Sequence, residues 1–244
     1  MDIVLEARDL AFRMDGREVF QDLNFRLRRG EIYVLLGASG SGKSILLKLL
    51  GGLFSPEKGK VEIEGIDLAV ASREALEAIW VKMGFVFQDA ALISNMSIFD
   101  NVALPLRYHT DLPESEVKAH VSEKMDLCEV DRRYDRSIPA QLSLGMRKRA
   151  ALSRALVLEP ELLFLDEPAT GLGAEGESLI ARILKIYQGR ERTTVLIATG
   201  EWLSVFSNAD RVGFLDHGHI VAEGTPSEML AKLGKTQRSD SPPE

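Results

Sequence analysis

The chain has a single cysteine, Cys128, so it has no partner for an internal disulfide and no thiolate set for a metal cluster. Lying beside Leu127 in a helical pattern, that cysteine reads as core filler rather than a redox group. No stretch approaches the roughly 18–20 continuous apolar residues of a membrane-spanning helix. The opening run Met1-Asp2-Ile3-Val4-Leu5-Glu6 lacks the charged and apolar regions of a signal peptide, which predicts a cytosolic chain. Any work at a membrane then depends on a partner. Basic residues are the minority charge: 30 Lys and Arg against 37 Asp and Glu give a net charge of −7, which argues against a nucleic-acid partner. There is no internal repeat, so one functional unit is expected, and 244 residues suffice for a substantial hydrophobic core.

What the chain does contain is a phosphate-binding pattern. Gly37-Ala38-Ser39-Gly40-Ser41-Gly42-Lys43-Ser44 fits G-x-x-x-x-G-K-[ST] at every fixed position. It follows a strand-like run, Ile32–Leu36, and leads into a helical pattern, Ile45–Leu50. Glycines let backbone N–H groups turn inward around a polyphosphate, and the new helix adds its positive end. In that arrangement Lys43 reaches the β- and γ-phosphates and the Ser44 hydroxyl ligates Mg²⁺, so ATP with Mg²⁺ is the expected ligand. A Gly/Ser-rich turn of no consequence would not carry this strand–loop–helix context.

Around this loop the pattern predicts an α/β fold. Residues 3–36 alternate in the β manner about a turn at Asp15-Gly16, as in an antiparallel hairpin or small sheet. Short strands are expected within 59–65 and at 83–87, and buried parallel strands at 162–166 and 193–198 with a helix between them. Residues 98–157 read as helical, interrupted by Pro105, Pro113 and Pro139. A terminal hairpin turns at His217-Gly218, before a helix near 226–233. The expectation is a mostly parallel sheet core (1–88 and 156–233) with an antiparallel N-terminal part, an inserted helical subdomain at 89–155, and a disordered tail at 234–244.

The run Leu162-Leu163-Phe164-Leu165-Asp166-Glu167-Pro168 supplies the acidic partner of the phosphate loop. An apolar strand places Asp166 at its carboxyl end to organise Mg²⁺, and Glu167 follows as the general base for water. A solvated Asp-Glu-Pro turn is the alternative meaning of those residues. Gln88 ends another strand, where a side-chain amide suits both Mg²⁺ and communication to the helical insertion. With these, Gln141-Leu142-Ser143-Leu144-Gly145-Met146-Arg147-Lys148-Arg149 resembles the Leu-Ser-Gly-Gly-Gln signature of the ATP-binding cassette (ABC) ATPases. That resemblance covers residues 3–233 and implies a P-loop NTPase core of the RecA-like kind. It also implies a head-to-tail dimer, homo- or heteromeric, in which Ser143 and Gly145 of one cassette cap the ATP of the other. Arg147, Lys148, Arg149 and Arg154 would add positive potential to that helix, or be simply solvated. The family's adenine-stacking position falls near Phe12–Met14, with Met14 as the stacking residue and Phe12 as core.

A narrower resemblance lies in Phe87–Leu92, Met96–Arg107 and His109–Pro113, together with Met146: these look like the Mla-type cassettes. It implies a lipid transporter with an integral-membrane permease and an MCE-domain protein, the cassette sitting on the cytoplasmic face of the inner membrane. Three positions depart from the family pattern. Leu144 replaces the first signature glycine, where a bulky side chain can obstruct a phosphate; Gly173 replaces the D-loop aspartate; Gly200 replaces the switch histidine. Glu167 is retained, so the expectation is an ATPase of slow turnover. The alternative is a catalytically weak regulatory or structural cassette, paired with a competent one. His217 and His219 read as turn residues, not substitutes for the missing imidazole.

Overall fold

A computed structural model of the protein describes residues 2–189, 193–201 and 208–239. Strands β1 (Ile3–Met14) and β2 (Arg17–Arg28) form a hairpin around Asp15-Gly16. Both turn residues have positive φ, 52° and 76°, the conformation that matches the twist of the flanking strands. After the phosphate loop, β4 (Lys58–Ile63) pairs antiparallel with the other edge of β1, and β5 (Ile66–Asp67) closes a four-stranded sheet in the order β2-β1-β4-β5.

The stretch that follows the hairpin, β3 (Ile32–Leu36), does not join it. All five of its residues are buried, so it needs cover on both faces and enters a second sheet instead. There it is joined by β6 (Met83–Val86), β7 (Leu162–Asp166), β8 (Thr194–Thr199), β9 (Arg211–Asp216) and β10 (His219–Gly224) in the order β10-β9-β3-β8-β7-β6. The pairings of β3, β6, β7, β8 and β9 are parallel; only the β9–β10 hairpin is antiparallel. The period-two alternation of these strands divides the core into two layers. Val34, Leu163, Leu165 and Ile197 face one layer, and Tyr33, Phe164 and Leu196 face the other.

The first layer is completed by α3 (Ile98–His109), α4 (Glu114–Leu127), α5 (Leu144–Leu156) and α6 (Gly173–Gly189); the second holds α1 (Lys43–Leu50), α2 (Arg73–Val81) and the antiparallel sheet. Serines start three of these helices: the Ser72, Ser97 and Ser143 hydroxyls accept hydrogen bonds from the backbone N–H groups of Ala75, Asp100 and Met146. Cys128 is fully buried in the first layer, and burial pushes its thiol up to about 12, as befits packing material. The last helix, α7 (Pro226–Ser239), runs past the boundary near 233 expected from sequence. Gly234 weakens a helix but does not end it, and no proline follows until after Ser239. The remainder of the expected tail, 240–244, lies outside the described residues.

One ion-pair cluster crosses the antiparallel sheet. Glu6 on β1 accepts from Arg26 on β2 at 2.6 Å and from Arg8. The hydrogen bond from Arg8, then that from Arg26, holds its carboxyl at about 2 against an ordinary 4.5. A depressed carboxylate stabilises the fold above its unfolded value and loses that contribution as pH falls through its folded value. Glu6→Gln is therefore expected to be less stable than the native chain at neutral pH. The difference should shrink from pH 4.5 downward and be gone near pH 2, as read from urea midpoints across that range.

Candidate functional site

The phosphate loop leaves the carboxyl end of β3 and re-enters the fold as α1. Gly42 is the helix N-cap at φ 102°, a conformation β-carbon-bearing residues avoid, and a Cβ there would lie 3.0 Å from the Phe20 ring. Lys43 is buried, and its Nζ donates to the Gly37 and Ala38 carbonyls at 2.7 and 3.1 Å. Ser41 Oγ is buried with no hydrogen-bond partner, an orphaned polar atom inside a loop built for anionic oxygens.

The parallel register then delivers the acidic groups. Asp166 ends β7, and its carboxylate accepts from Ser44 Oγ at 3.0 Å. Burial raises the Asp166 carboxyl above its ordinary value, with the Ser44 bond opposing that rise. A hydroxyl beside a buried carboxylate is a hard oxygen pair that suits Mg²⁺, whose charge would hold Asp166 ionised. Gln88 lies two residues beyond Val86, which pairs with Leu165, and is exposed. Among the described residues no contact joins it to Ser44 or Asp166. Glu167 has φ 47°; one carboxylate oxygen lies 3.6 Å from Lys43 Nζ and the other accepts from Thr170 Oγ1 at 3.1 Å.

Gly200 follows β8 at this same spot. A Cβ built there would be 3.5 Å from Gly37 O, 3.6 Å from Glu167 Oε1 and 3.9 Å from Lys43 Nζ. A Cβ at Gly200 would therefore make ordinary van der Waals contacts with the phosphate loop and with Glu167. Met14 borders a cleft of about 550 Å³ together with Ala38–Ser41 and Ile45, whereas Phe12 stacks on Phe54. His217 and His219, legible in sequence only as turn residues, border this cleft too. A larger cleft of about 920 Å³, lined by Arg26, Arg28 and Arg211, includes none of the phosphate-loop residues.

Ser143 caps α5 and is exposed, as is Leu144. Leu144 stands in the place of the first signature glycine. Its side chain packs on the segment after Glu167, with Cδ2 3.1 Å from where a Gly171 Cβ would stand; reciprocally, Leu172 Cδ2 is 3.1 Å from where a Gly145 Cβ would stand. Three of the four basic residues of this helix are engaged with other segments. Lys148 is 2% exposed and donates to the Glu167 carbonyl, Arg149 pairs with Glu129, and Arg154 donates to the Ala90 and Ala91 carbonyls at 3.1 and 2.8 Å. Those two alanines have φ of 70° and 44°, so Arg154 braces a left-handed turn just after Gln88. Nothing in the sequence spacing announces these long-range contacts.

The sequence pattern defining the ABC transporter family matches residues 20–170. The chain is 35% identical over 227 residues, 93% of its length and 86% of the other's, to the intermembrane phospholipid transport system ATP-binding protein MlaF of Haemophilus influenzae. It is 33% identical to the MlaF of Escherichia coli K12 over 93% of this chain and 84% of that one. It is also 36% identical to the probable ribonucleotide transport ATP-binding protein mkl of Mycobacterium tuberculosis H37Rv, over 94% of this chain and 64% of that longer one. Among solved structures, the dimeric bacterial ABC transporter cassette MJ0796 superposes with a TM-score of 0.85 at 28% identity, over 91% of this chain and 98% of that one. Its post-hydrolysis dimer bound to ADP and Pi gives 0.84 at 27% identity over the same shares.

Proposed function

Since the chain belongs to the ABC transporter family as an ATP-binding subunit, we propose that it hydrolyses MgATP to drive a phospholipid transporter in the membrane. The observation that carries the catalytic part is the convergence of Lys43, Ser44, Asp166 and Glu167 at the carboxyl ends of β3 and β7. In this reading the loop amides from Gly37 to Gly42, with Ala38, Ser39, Gly40 and Ser41, wrap the β- and γ-phosphates, and Lys43 moves from carbonyl partners to phosphate oxygens. Met14 packs on the adenine. Mg²⁺ would be held by Ser44 and Asp166, with Gln88 as a proposed further ligand, and would neutralise phosphate charge. Glu167 orients water for in-line attack on the γ-phosphorus and accepts its proton; ADP departs with its new charge facing Lys43. Without an imidazole at Gly200 the water is less firmly held, and turnover is slow.

A second cassette completes the site by laying Ser143 and Gly145 over the γ-phosphate, an arrangement in keeping with the dimeric form of MJ0796. Among the described residues no helix is long and apolar enough to cross a membrane, so the transported molecule needs a permease. Exposed Leu53, Trp80, Ile93 and Tyr108 offer apolar contacts for it on the cytoplasmic face of the inner membrane. Fully buried Asn101 shapes that surface: it accepts from Ile93 N at 2.7 Å and donates to Ser97 O at 2.9 Å. Phospholipid cargo rests on the MlaF relatives, and an MCE-domain partner on the 87–113 resemblance alone.

The test is phosphate release by the full chain, alone and with its co-purified permease in phospholipid vesicles. Turnover stimulated by the permease, with movement of a fluorescent phospholipid, is the expected result. Bound ATP without any phosphate release would overturn the catalytic part. Stimulation by a ribonucleotide but not by lipid would replace the cargo.

A further inference from the structure

We propose that Lys148 is the positioning residue for Glu167, holding the backbone of the general base from the signature helix of the same subunit. The proposal rests on the reading of Glu167 as base. Lys148 is among the deeply buried charged side chains, and its Nζ donates to the Glu167 carbonyl at 2.6 Å. An ammonium carried into the interior needs strong compensation, and here the hydrogen bond goes to one peptide group, that of the catalytic segment. That peptide needs holding. Glu167 is a non-glycine residue at φ 47°, a conformation kept only where the surroundings enforce it.

The enforcement comes from both sides. The Glu167 N–H donates to Ala198 O on β8 at 2.8 Å, and its carbonyl is taken by Lys148 from α5. With the peptide groups on both sides of Glu167 held, the side chain is directed between Lys43 and Thr170. The anchor is itself firm. Leu144 on Gly171 and Leu172 on Gly145 interlock the start of α5 with the segment that follows Glu167. Movement of the signature helix therefore reaches the base of its own subunit through Lys148, as well as the ATP of the opposite one through Ser143.

Lys148→Met keeps length and apolar bulk but removes the donor; Lys148→Arg restores one. In the full chain, Lys148→Met is expected to lower kcat for MgATP by about 10- to 100-fold, the scale of an ångström-sized misplacement. KM and the affinity for TNP-ATP should stay within about twofold, because the phosphate loop is untouched. Lys148→Arg should recover most of the rate. Independently of turnover, hydrogen exchange should speed up at the Thr170 and Leu172 amides in Lys148→Met while the β7 amides stay protected. Wild-type kcat and unchanged exchange in Lys148→Met would overturn the assignment. Parallel loss of kcat and nucleotide affinity, not rescued by arginine, would overturn it too, as a folding role. A native chain that binds ATP but never turns over would sink the ATPase reading alone, leaving the exchange comparison to decide on Lys148.

Discussion

Glu167→Gln is expected to lower kcat for MgATP hydrolysis by about 10²–10⁴-fold while leaving ATP affinity near that of the native chain. The carboxylate lies 3.6 Å from Lys43 Nζ and is held by Thr170, so it stands at the phosphate loop without belonging to it. The contacts proposed to bind triphosphate come from Lys43, Ser44 and backbone amides, and none is removed by the change. A glutamine keeps the volume and can still orient water, but it cannot take a proton. The signature is therefore a fall in kcat with little change in KM. ATP-driven dimers should persist longer in the variant, which size-exclusion chromatography with and without MgATP would register. A Glu167→Gln protein that turns over at the native rate would remove Glu167 from the chemistry.

Gly200→His is expected to act in the opposite sense, raising kcat on the order of 10²-fold, the amount a single preorganised donor contributes elsewhere. The substitution fits the local geometry. The φ of Gly200 lies outside the left-handed region, and its Cβ position has only ordinary contacts, 3.5 Å to Gly37 O and 3.6 Å to Glu167 Oε1. An imidazole there begins beside both the base and the phosphate loop, where it can donate to the γ-phosphate and steady the attacking water. The gain should vanish in the Glu167→Gln background, since a positioned water still needs its base. Comparison of phosphate release in the native chain, the single variants and the double variant reads this directly. Unchanged turnover in Gly200→His would mean that another step sets the rate, and that the missing histidine is not what limits this cassette.

Much of this site could be read from contiguous residues. The phosphate loop and the Asp166-Glu167 pair are short runs whose chemistry and flanking strands announce themselves, and the structure brings Ser44 and Asp166 into contact. The continuous apolar character of Ile32–Leu36 likewise marks a strand buried on both faces, which is why it parts from the hairpin before it. Other features are made only when distant segments meet. Lys148 and Arg154 are charges on a helix, which ordinarily means solvated side chains, yet each reaches a carbonyl in another segment. The packing of Leu144 opposite Gly171 is likewise not revealed by the sequence. His217 shows its turn chemistry in sequence, whereas His219 opens β10; their place beside the cleft follows from β9 pairing with β3.

The neighbouring order β3-β8-β7-β6 has a consequence for how such a chain can change in length. The phosphate loop, Gly200, Asp166 and Gln88 follow four strands that stand side by side but are far apart and out of order along the chain. Their spacing is fixed by the roughly 4.8 Å between paired strands, not by the residues that separate them in sequence. Insertions in the surface connections, even long ones, leave those distances alone. A single residue inserted within β7 would instead turn Asp166 to the opposite face of the sheet and away from Ser44. Divergence by insertion is thus open between the strands and closed within them.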